Sequence, residues 1–204
     1  MSLPRMKPRS IVLVCVALVC AGMMRPSGIA SASPVVLDFD DVATSPTYPA
    51  YSAPMPTGYG GLTWENFYVV NGYYPPLYGT GYKYGMVTPP NTAYNGYATP
   101  ATISTTTRFD FVEASFAVAY SQTDDPSQIQ IDGYLGNELK YTTQLYVVET
   151  GPSLATLDYN GIDRLVFTSL VNPHDGRRSQ FVMDNFTFRA HRRVWLPCLL
   201  KASY

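Results

Sequence analysis

The chain has 204 residues, of which 46% are hydrophobic and 14% aromatic, and its formal charge is −1. Residues 1–32 hold four of the 14 basic residues and no acid, which leaves 10 basic against 15 acidic residues in the remainder. Six of those ten lie beyond residue 176, so the body before them is acidic. An acidic body repels nucleic acid and suits cations or neutral ligands, and we expect no nucleic-acid partner.

The first 32 residues have the pattern of a secretory signal peptide. Arg5, Lys7 and Arg9 precede the apolar run 11–20, and Ala-Ser-Ala at 30–32 matches the small-residue cleavage pattern. A retained membrane anchor is disfavoured, because the run is shorter than the ~20 apolar residues that a spanning helix needs. The pattern predicts a secreted, extracellular protein without a stable membrane anchor, cleaved after residue 32.

The cysteines exclude a disulfide framework in the mature chain. Cys15 and Cys20 lie in the segment that we expect to be removed, and Cys198 alone remains. The hydrophobic core must therefore supply the stability that disulfides give many small secreted domains.

After residue 33 the apolar residues alternate with period two, and glycine and proline recur too often for long helices. This pattern predicts strands at 35–39, 62–70, 101–104, 109–120, 128–135, 139–149, 153–159, 162–168 and 181–188, with a break that divides 109–120 into two strands. Strands at this spacing, separated by turn residues, are typical of an antiparallel sandwich or barrel. We predict one domain over 33–189 and a disordered basic tail over 190–204.

The segment from residue 48 to residue 97 departs from this pattern because it is dense in tyrosine, glycine and proline. Apart from the predicted strand at 62–70, the segment is expected to be mostly loop. Long ordered loops are often functional and need their own side chains to pack them.

Several stretches resemble a broad group of secreted proteins found in fungi and among bacterial exported proteins of the PEP-CTERM type. They are Asp-Phe-Asp-Asp at 38–41, Tyr-Gly-Gly-Leu-Thr-Trp-Glu-Asn-Phe at 59–67, 85–95, 109–120, 131–134 and 181–188. The resemblance implies an all-β, antiparallel jelly-roll β-sandwich similar to galactose-binding-like and carbohydrate-binding modules. It implies no particular activity.

Three aspartates suggest a structural cation site. Many jelly-roll binding modules tie the first strand to the last with Ca²⁺, and here Asp40 and Asp41 follow the first strand while Asp184 lies in the last. Clustered carboxylates and loop carbonyls supply the six to eight oxygens that Ca²⁺ prefers. The alternative is that these are solvated acids at strand ends.

The last strand also predicts a β-bulge. Phe181 and Met183 share one parity, whereas Phe186 and Phe188 share the other. If all four side chains are buried, a bulge must fall near Asp184 and Asn185.

Aromatic rings in the long loops suggest a glycan platform, because tyrosine and tryptophan combine an apolar face with a polar group. The candidate ligand-binding rings are Tyr59, Trp64, Tyr73, Tyr74, Tyr82 and Tyr84. The alternative is that these rings pack the loops against the sheet. For Trp64, which lies in an apolar strand, the core is the favoured position.

Nothing in the sequence has the pattern of a catalytic site. The two histidines, His174 and His191, lie near or beyond the end of the predicted domain, and no G-x-S-x-G or H-E-x-x-H motif is present. Glycoside hydrolysis needs only two carboxyl groups, but Glu65, Asp110, Glu113 and Asp132 fall in no recognisable pair.

These observations favour a secreted, non-catalytic binding module that recognises an extracellular glycan or another cell-surface component. A structural or protein-interaction protein of the extracellular matrix, or a secreted effector, is the alternative. A glycan-active enzyme is a third possibility.

Overall fold

Alternating apolar residues form strands here, while frequent glycine and proline disfavour long helices. The fold is all-β and antiparallel, consistent with a jelly-roll sandwich. The computed structural model describes residues 32–120, 126–171 and 179–191. The predicted signal peptide up to residue 31, Cys198 and the basic tail beyond residue 191 lie outside these ranges.

Strands dominate the described residues. In chain order they are β1 (Val35–Leu37), β2 (Ser52–Pro54), β3 (Thr63–Glu65), β4 (Phe67–Asn71), β5 (Asn91–Asn95), β6 (Ala101–Val118), β7 (Ser127–Leu135), β8 (Glu138–Val147), β9 (Ser153–Ser169) and β10 (Phe181–Ala190). One short helix, α1, spans Gly81–Tyr84, and single 3₁₀ turns occupy Tyr59–Gly61, Pro75–Leu77 and Gly96–Ala98. No helix in the described ranges is long and apolar enough to cross a membrane.

The strands are hydrogen-bonded in the order β2-β4-β5-β10-β6-β9-β7-β8, with β1 paired to β10 and β3 paired to β6. Every pairing between these strands is antiparallel. Strand β6 pairs with β3 near its start and with β10 over its second half, whereas β9 follows it along most of its length. Register shifts between Ser104 and Phe111 bend these two long strands, so each can belong to two layers.

The core lies between these layers and is built from phenylalanine. All nine phenylalanines of the chain are buried. Phe67 of β4 contacts Phe167 of β9 edge-to-face at 5.7 Å between ring centroids, and Phe111 of β6 stacks on Phe186 of β10 at 5.1 Å. Tyrosine, whose hydroxyl is costly to bury without a partner, is found mainly at the surface and in half-buried positions.

The predicted strands are largely present, but three boundaries differ. The predicted strand at 62–70 is two strands, because Asn66 adopts a left-handed conformation (φ 58°) between β3 and β4. Strand β6 joins the predicted strands 101–104 and 109–120 and has no break within 109–118, where the sequence predicts one. Strand β9 joins the predicted strands 153–159 and 162–168. Asn160-Gly161 is therefore a bend within β9 rather than a turn between two strands, with Gly161 at φ 70°.

The tyrosine-rich segment contains more structure than the sequence predicts. Strands β2 and β5 both lie within it, and β5 is a central strand between β4 and β10. The sequence Asn-Thr-Ala-Tyr-Asn at 91–95 is too polar to be recognised as a buried strand, although Asn91, Thr92 and Asn95 are buried. Their side chains hydrogen-bond to neighbouring backbone, and such bonds are what allow polar groups to be buried.

The bulge predicted in the last strand is confirmed. Phe181, Met183, Phe186 and Phe188 are all buried. The register of β10 against β6 shifts after Asp184, and Asn185 is left-handed with φ 52°. Beyond the bulge β10 pairs with β1 instead of β5.

Candidate functional site: a tyrosine cleft

The candidate site lies on the face of the sheet opposite the main core. A second, smaller hydrophobic cluster of Ala117, Ala119 and Val182 forms there, and Tyr82 and Tyr94 pack against it. Because alternate residues of a strand point to opposite faces, β4 and β5 present Phe67 and Ala93 to the main core and rings such as Tyr68 and Tyr94 to this face.

A cleft of about 350 Å³ opens on this face. Its aromatic and polar lining comes from Tyr51, Tyr68, Tyr82, Tyr94, Tyr97 and Gln180. Val70, Leu77 and Gly96 complete it. A volume near 300–1,000 Å³, with apolar surface and a few placed polar groups, is typical of small-molecule sites.

The floor of the cleft is a pair of tyrosines on adjacent strands. Tyr68 of β4 and Tyr94 of β5 are direct partners in the antiparallel ladder, and their rings stack at 5.6 Å. The Tyr94 hydroxyl shares a 2.9 Å hydrogen bond with the Ser52 hydroxyl on β2. Strand pairing and this bond therefore fix both rings.

One wall is carried by α1, which lies directly on the sheet. The Gly81 amide donates to the Ala119 carbonyl, and a Cβ at Gly81 would lie 1.8 Å from the Val118 carbonyl oxygen. Only glycine allows this approach. The wall residue Tyr82 donates a 2.5 Å hydrogen bond to Gln180 Oε1, and Gln180 Nε2 donates to the Asn95 carbonyl.

The opposite side is formed by Tyr51, whose ring belongs to a stack outside the cleft. Tyr51 lies between Tyr74, at 4.2 Å, and Tyr48, at 6.4 Å between ring centroids. The stack holds the Tyr51 ring against the cleft and continues its aromatic surface outward.

No lining residue carries a charge at neutral pH. The ionisable groups are phenols, and burial raises the pKa of Tyr82 and of Tyr94 above the ordinary value. Their hydroxyls are therefore protonated and can both donate and accept hydrogen bonds. Such a lining suits a neutral ligand that presents an apolar face and hydroxyl groups.

The predicted ligand rings are divided between several places. Tyr82 lines the cleft, and Tyr74 stacks on the lining residue Tyr51. Tyr73 lies under the Lys83 ammonium, which is 3.6 Å from its ring centroid, and Tyr84 is exposed on α1.

Tyr59 and Trp64 do not line the cleft but pack against the main core. Trp64 contacts Phe39, Phe67 and Phe186 edge-to-face and donates its indole N–H to the Tyr59 carbonyl at 2.8 Å.

The sequence alone does not indicate most of the cleft residues, namely Tyr51, Tyr68, Tyr94, Tyr97 and Gln180. The signal that could reveal the cleft is the pairing of two strands, each with a tyrosine that points away from the main core. This signal can be used only when 91–95 is recognised as a strand.

Protein donors already engage the three predicted calcium ligands. Asp184 is fully buried and accepts hydrogen bonds from the Val87, Thr88 and Asn185 amides at 2.6, 2.9 and 2.7 Å. Asp40 accepts from the Asn91 amide at 2.9 Å, and Asp41 accepts from the Tyr59 hydroxyl at 2.6 Å.

Burial raises the pKa of Asp184 to about 6, although its three N–H donors act in the opposite direction. Within the described ranges no three His, Cys, Asp or Glu side chains are grouped to hold a metal ion. Calcium binding stays a prediction.

The acids considered for catalysis, Glu65, Asp110, Glu113 and Asp132, lie outside the cleft. Asp132 accepts from Gln130 and Thr142, Glu113 accepts from Thr156, and none of these acids lines the cleft. Asp110 accepts from the Gly161 amide and lies 2.7 Å from His191 Nε2, at the end of β10.

Comparison with known proteins assigns the chain to no family. No family model matches the chain, and no curated protein matches it. Among solved structures, the chain is similar to the CBM22-1 xylan-binding domain of Paenibacillus barcinonensis Xyn10C, with a TM-score of 0.36 and 10% identity. The similarity covers 83% of this chain and 100% of that domain.

Proposed function

We propose that this protein is a secreted, non-catalytic binding module that recognises a neutral extracellular glycan in the tyrosine cleft. The observation that carries the proposal is an uncharged cleft of about 350 Å³ lined by five tyrosines and a glutamine. Sugars present C–H faces that pack on aromatic rings and hydroxyls that pair with phenol and amide groups.

The absence of charge in the cleft lining supports both the class of ligand and the non-catalytic role. A glycosidase needs two carboxyl groups about 5–10 Å apart across its cleft. A nucleic-acid site needs a basic lining. The nine lining residues provide neither.

Secretion is part of the proposal and rests on the amino-acid sequence of residues 1–32. The basic start, the apolar run and the Ala-Ser-Ala stretch are the features that support it. N-terminal sequencing of the protein recovered from the medium of an expressing cell tests it. A first residue within a few positions of Ser33 is expected, and retention of Met1 in a cell-associated protein contradicts secretion.

Direct binding to soluble neutral polysaccharides tests the function. The panel is a β-1,4-glucan, a β-1,3-glucan, a xylan, a mannan and a galactan, used in affinity electrophoresis. Tyr51→Ala should weaken binding by about tenfold or more, as removal of a central aromatic contact does. Tyr146→Ala is the matched control, because Tyr146 is a 66% exposed ring on β8. No binding of the wild type to any polymer refutes the proposal.

A protein-interaction role is the second candidate, and the free edge of the sheet favours it. Strand β8 pairs with β7 alone among the described strands, and Leu139, Tyr146 and Val148 are exposed along or just after it. An unpaired sheet edge with apolar side chains is a site where another chain can add a strand. If this role is correct, Tyr146→Ala weakens retention on an extracellular-matrix preparation and Tyr51→Ala does not.

A further inference from the structure

Tyr97 is the most exposed large apolar side chain of the described residues, at 85% of its surface, and it stands at the rim of the cleft. Its backbone is left-handed (φ 53°), and so is that of Ala98 (φ 54°). Left-handed conformations are unfavourable for residues with a Cβ, and most of all for bulky ones. Two in succession need support from the surroundings.

Burial of the Tyr97 ring does not provide that support, because the ring is almost wholly in solvent. Glycine at 97 would adopt the same backbone conformation without strain. The exposed ring therefore contributes little to folding. Strained residues that the surrounding structure holds in place are found at ligand clamps.

The support comes from Asn66, on the neighbouring connection between β3 and β4. Its side-chain amide nitrogen, Nδ2, lies 3.1 Å from the Gly96 carbonyl oxygen, 2.8 Å from the Thr99 hydroxyl and 3.0 Å from the Pro100 carbonyl oxygen. The Gly96 amide donates in return to the Asn66 carbonyl at 3.0 Å. Asn66 therefore bonds to the turn on both sides of Tyr97.

The turn is also fixed from below. A Cβ at Gly96 would lie 2.4 Å from Asn66 Oδ1 and 2.7 Å from the Tyr68 ring, so the backbone rests directly on the floor of the cleft. Asn95 Nδ2 donates to the Thr99 carbonyl at 2.9 Å. The position of the turn is therefore tied to the position of the floor ring Tyr68.

We infer that Tyr97 is a ligand-stacking ring and that Asn66 is its positioning residue, holding the turn that carries the ring at the rim of the cleft before the ligand arrives. This inference rests on the proposed function. A turn that is already ordered loses less backbone conformational freedom on binding, so the contact of the ring that it carries contributes more to affinity. Asn66 touches no ligand and acts only through the turn.

The experiment measures dissociation constants for the neutral polysaccharide that the wild type binds best. Tyr97→Ala should weaken binding by about tenfold or more, and Tyr97→Phe should remain within about threefold of wild type, because it keeps the ring. Asn66→Gly, which keeps the left-handed backbone and removes the amide, should show most of the loss seen with Tyr97→Ala. The double variant should be no weaker than Tyr97→Ala alone, because Asn66 acts through the ring.

Two controls separate positioning from general destabilisation. Asp158→Gly makes the same kind of change at another left-handed residue (φ 49°) within β9, and it should leave affinity unchanged. Amide hydrogen exchange at residues 96–98 should be faster in Asn66→Gly and unchanged in Asp158→Gly. If Asn66→Gly does not fold, Asn66→Asp, which also tolerates the left-handed conformation, replaces it.

The outcomes distinguish this inference from the function on which it rests. If the wild type binds and Tyr51→Ala weakens binding while Tyr97→Ala does not, the inference is overturned and the proposed function stands. Additive losses in the double variant overturn the positioning role of Asn66. If the wild type binds none of the polymers, the proposed function and the inference both fail.

Discussion

The phenol hydroxyl determines where the tyrosines of this chain lie relative to the phenylalanines. All nine phenylalanines are buried between the layers, whereas tyrosines such as Tyr68, Tyr82 and Tyr94 are half-buried, with hydroxyl partners or at the cleft. A tyrosine side chain has the packing surface of phenylalanine and, in addition, a hydroxyl group that must hydrogen-bond when it is buried. Tyrosine therefore suits a surface that must be both apolar and able to bond a polar ligand.

At the residue scale, substitution of Trp64 distinguishes a role in core packing from a role in ligand binding. It contacts three buried phenylalanines and lies outside the cleft. Trp64→Ala should therefore lower the free energy of unfolding by about 3 kcal/mol or more, the usual cost of deleting a packed aromatic side chain. The folded fraction should bind glycan with wild-type affinity. Denaturant unfolding and affinity electrophoresis check the two effects, and an affinity loss without a stability loss would restore Trp64 as a ligand ring.

Asp184 should make stability depend on pH. Because its pKa is raised from 3.8 to about 6 in the folded protein, its stabilising contribution is complete below about pH 4 and is lost as the pH rises through 6. The wild type should lose about 2 kcal/mol relative to Asp184→Asn between pH 4 and pH 7. Urea unfolding of both proteins across this range measures the difference.

The same titration tests the predicted calcium site. A carboxylate that binds Ca²⁺ has a lowered pKa, so stability would rise with pH instead of falling. A wild-type protein whose advantage over Asp184→Asn grows with pH, and whose unfolding midpoint falls with a chelator, would establish the calcium site. If a chelator leaves the unfolding midpoint unchanged and stability decreases with rising pH as expected, Asp184 acts as the hydrogen-bond acceptor that holds the backbone at residues 87 and 88.

At the scale of elements, the wall of the cleft depends on how closely α1 approaches β6. A Cβ at position 81 would meet backbone atoms of Val118 at 1.8 and 2.8 Å, and a backbone cannot give way as a side chain does. The wall carries Tyr82, so displacing α1 should open the cleft.

Gly81→Ala should therefore weaken glycan binding by about tenfold and lower the free energy of unfolding by about 1–3 kcal/mol, the range for overpacked sites. Gly151→Ala is the matched control, because nothing lies within 4 Å of a Cβ there. Calorimetric titration and thermal unfolding measure both quantities. Unchanged affinity in Gly81→Ala would show that α1 does not form a functional wall.

The sequence predicts the elements better than it predicts their partners. The alternation of Phe109 and Phe111 indicates a strand locally, and the parity change between Met183 and Phe186 predicts the bulge that is observed. The cleft instead depends on Tyr68 meeting Tyr94, which lie 26 residues apart and become neighbours only through strand pairing. Such a contact depends on register, and register is set by the whole sheet.

At the scale of the whole molecule, the charge predicts how binding should respond to salt. The chain beyond residue 32 holds 10 basic and 15 acidic residues, yet the cleft lining holds none of either. Affinity for a neutral glycan should therefore change by less than about twofold between 50 and 500 mM NaCl, because screening acts only between charges. Isothermal titration at several salt concentrations checks this. A steep loss of affinity with salt would indicate a charged ligand, bound elsewhere.

The most direct test of the central claim is to map the contact residue by residue. In an NMR titration of the protein with the neutral polysaccharide that it binds best, we expect chemical-shift changes concentrated at Gly96, Tyr97, Gln180 and the amides of β4 and β5. Strand β8 should remain unperturbed. Saturable changes confined to β8, or no change with any polymer of the panel, would contradict the assignment of the tyrosine cleft as a glycan site.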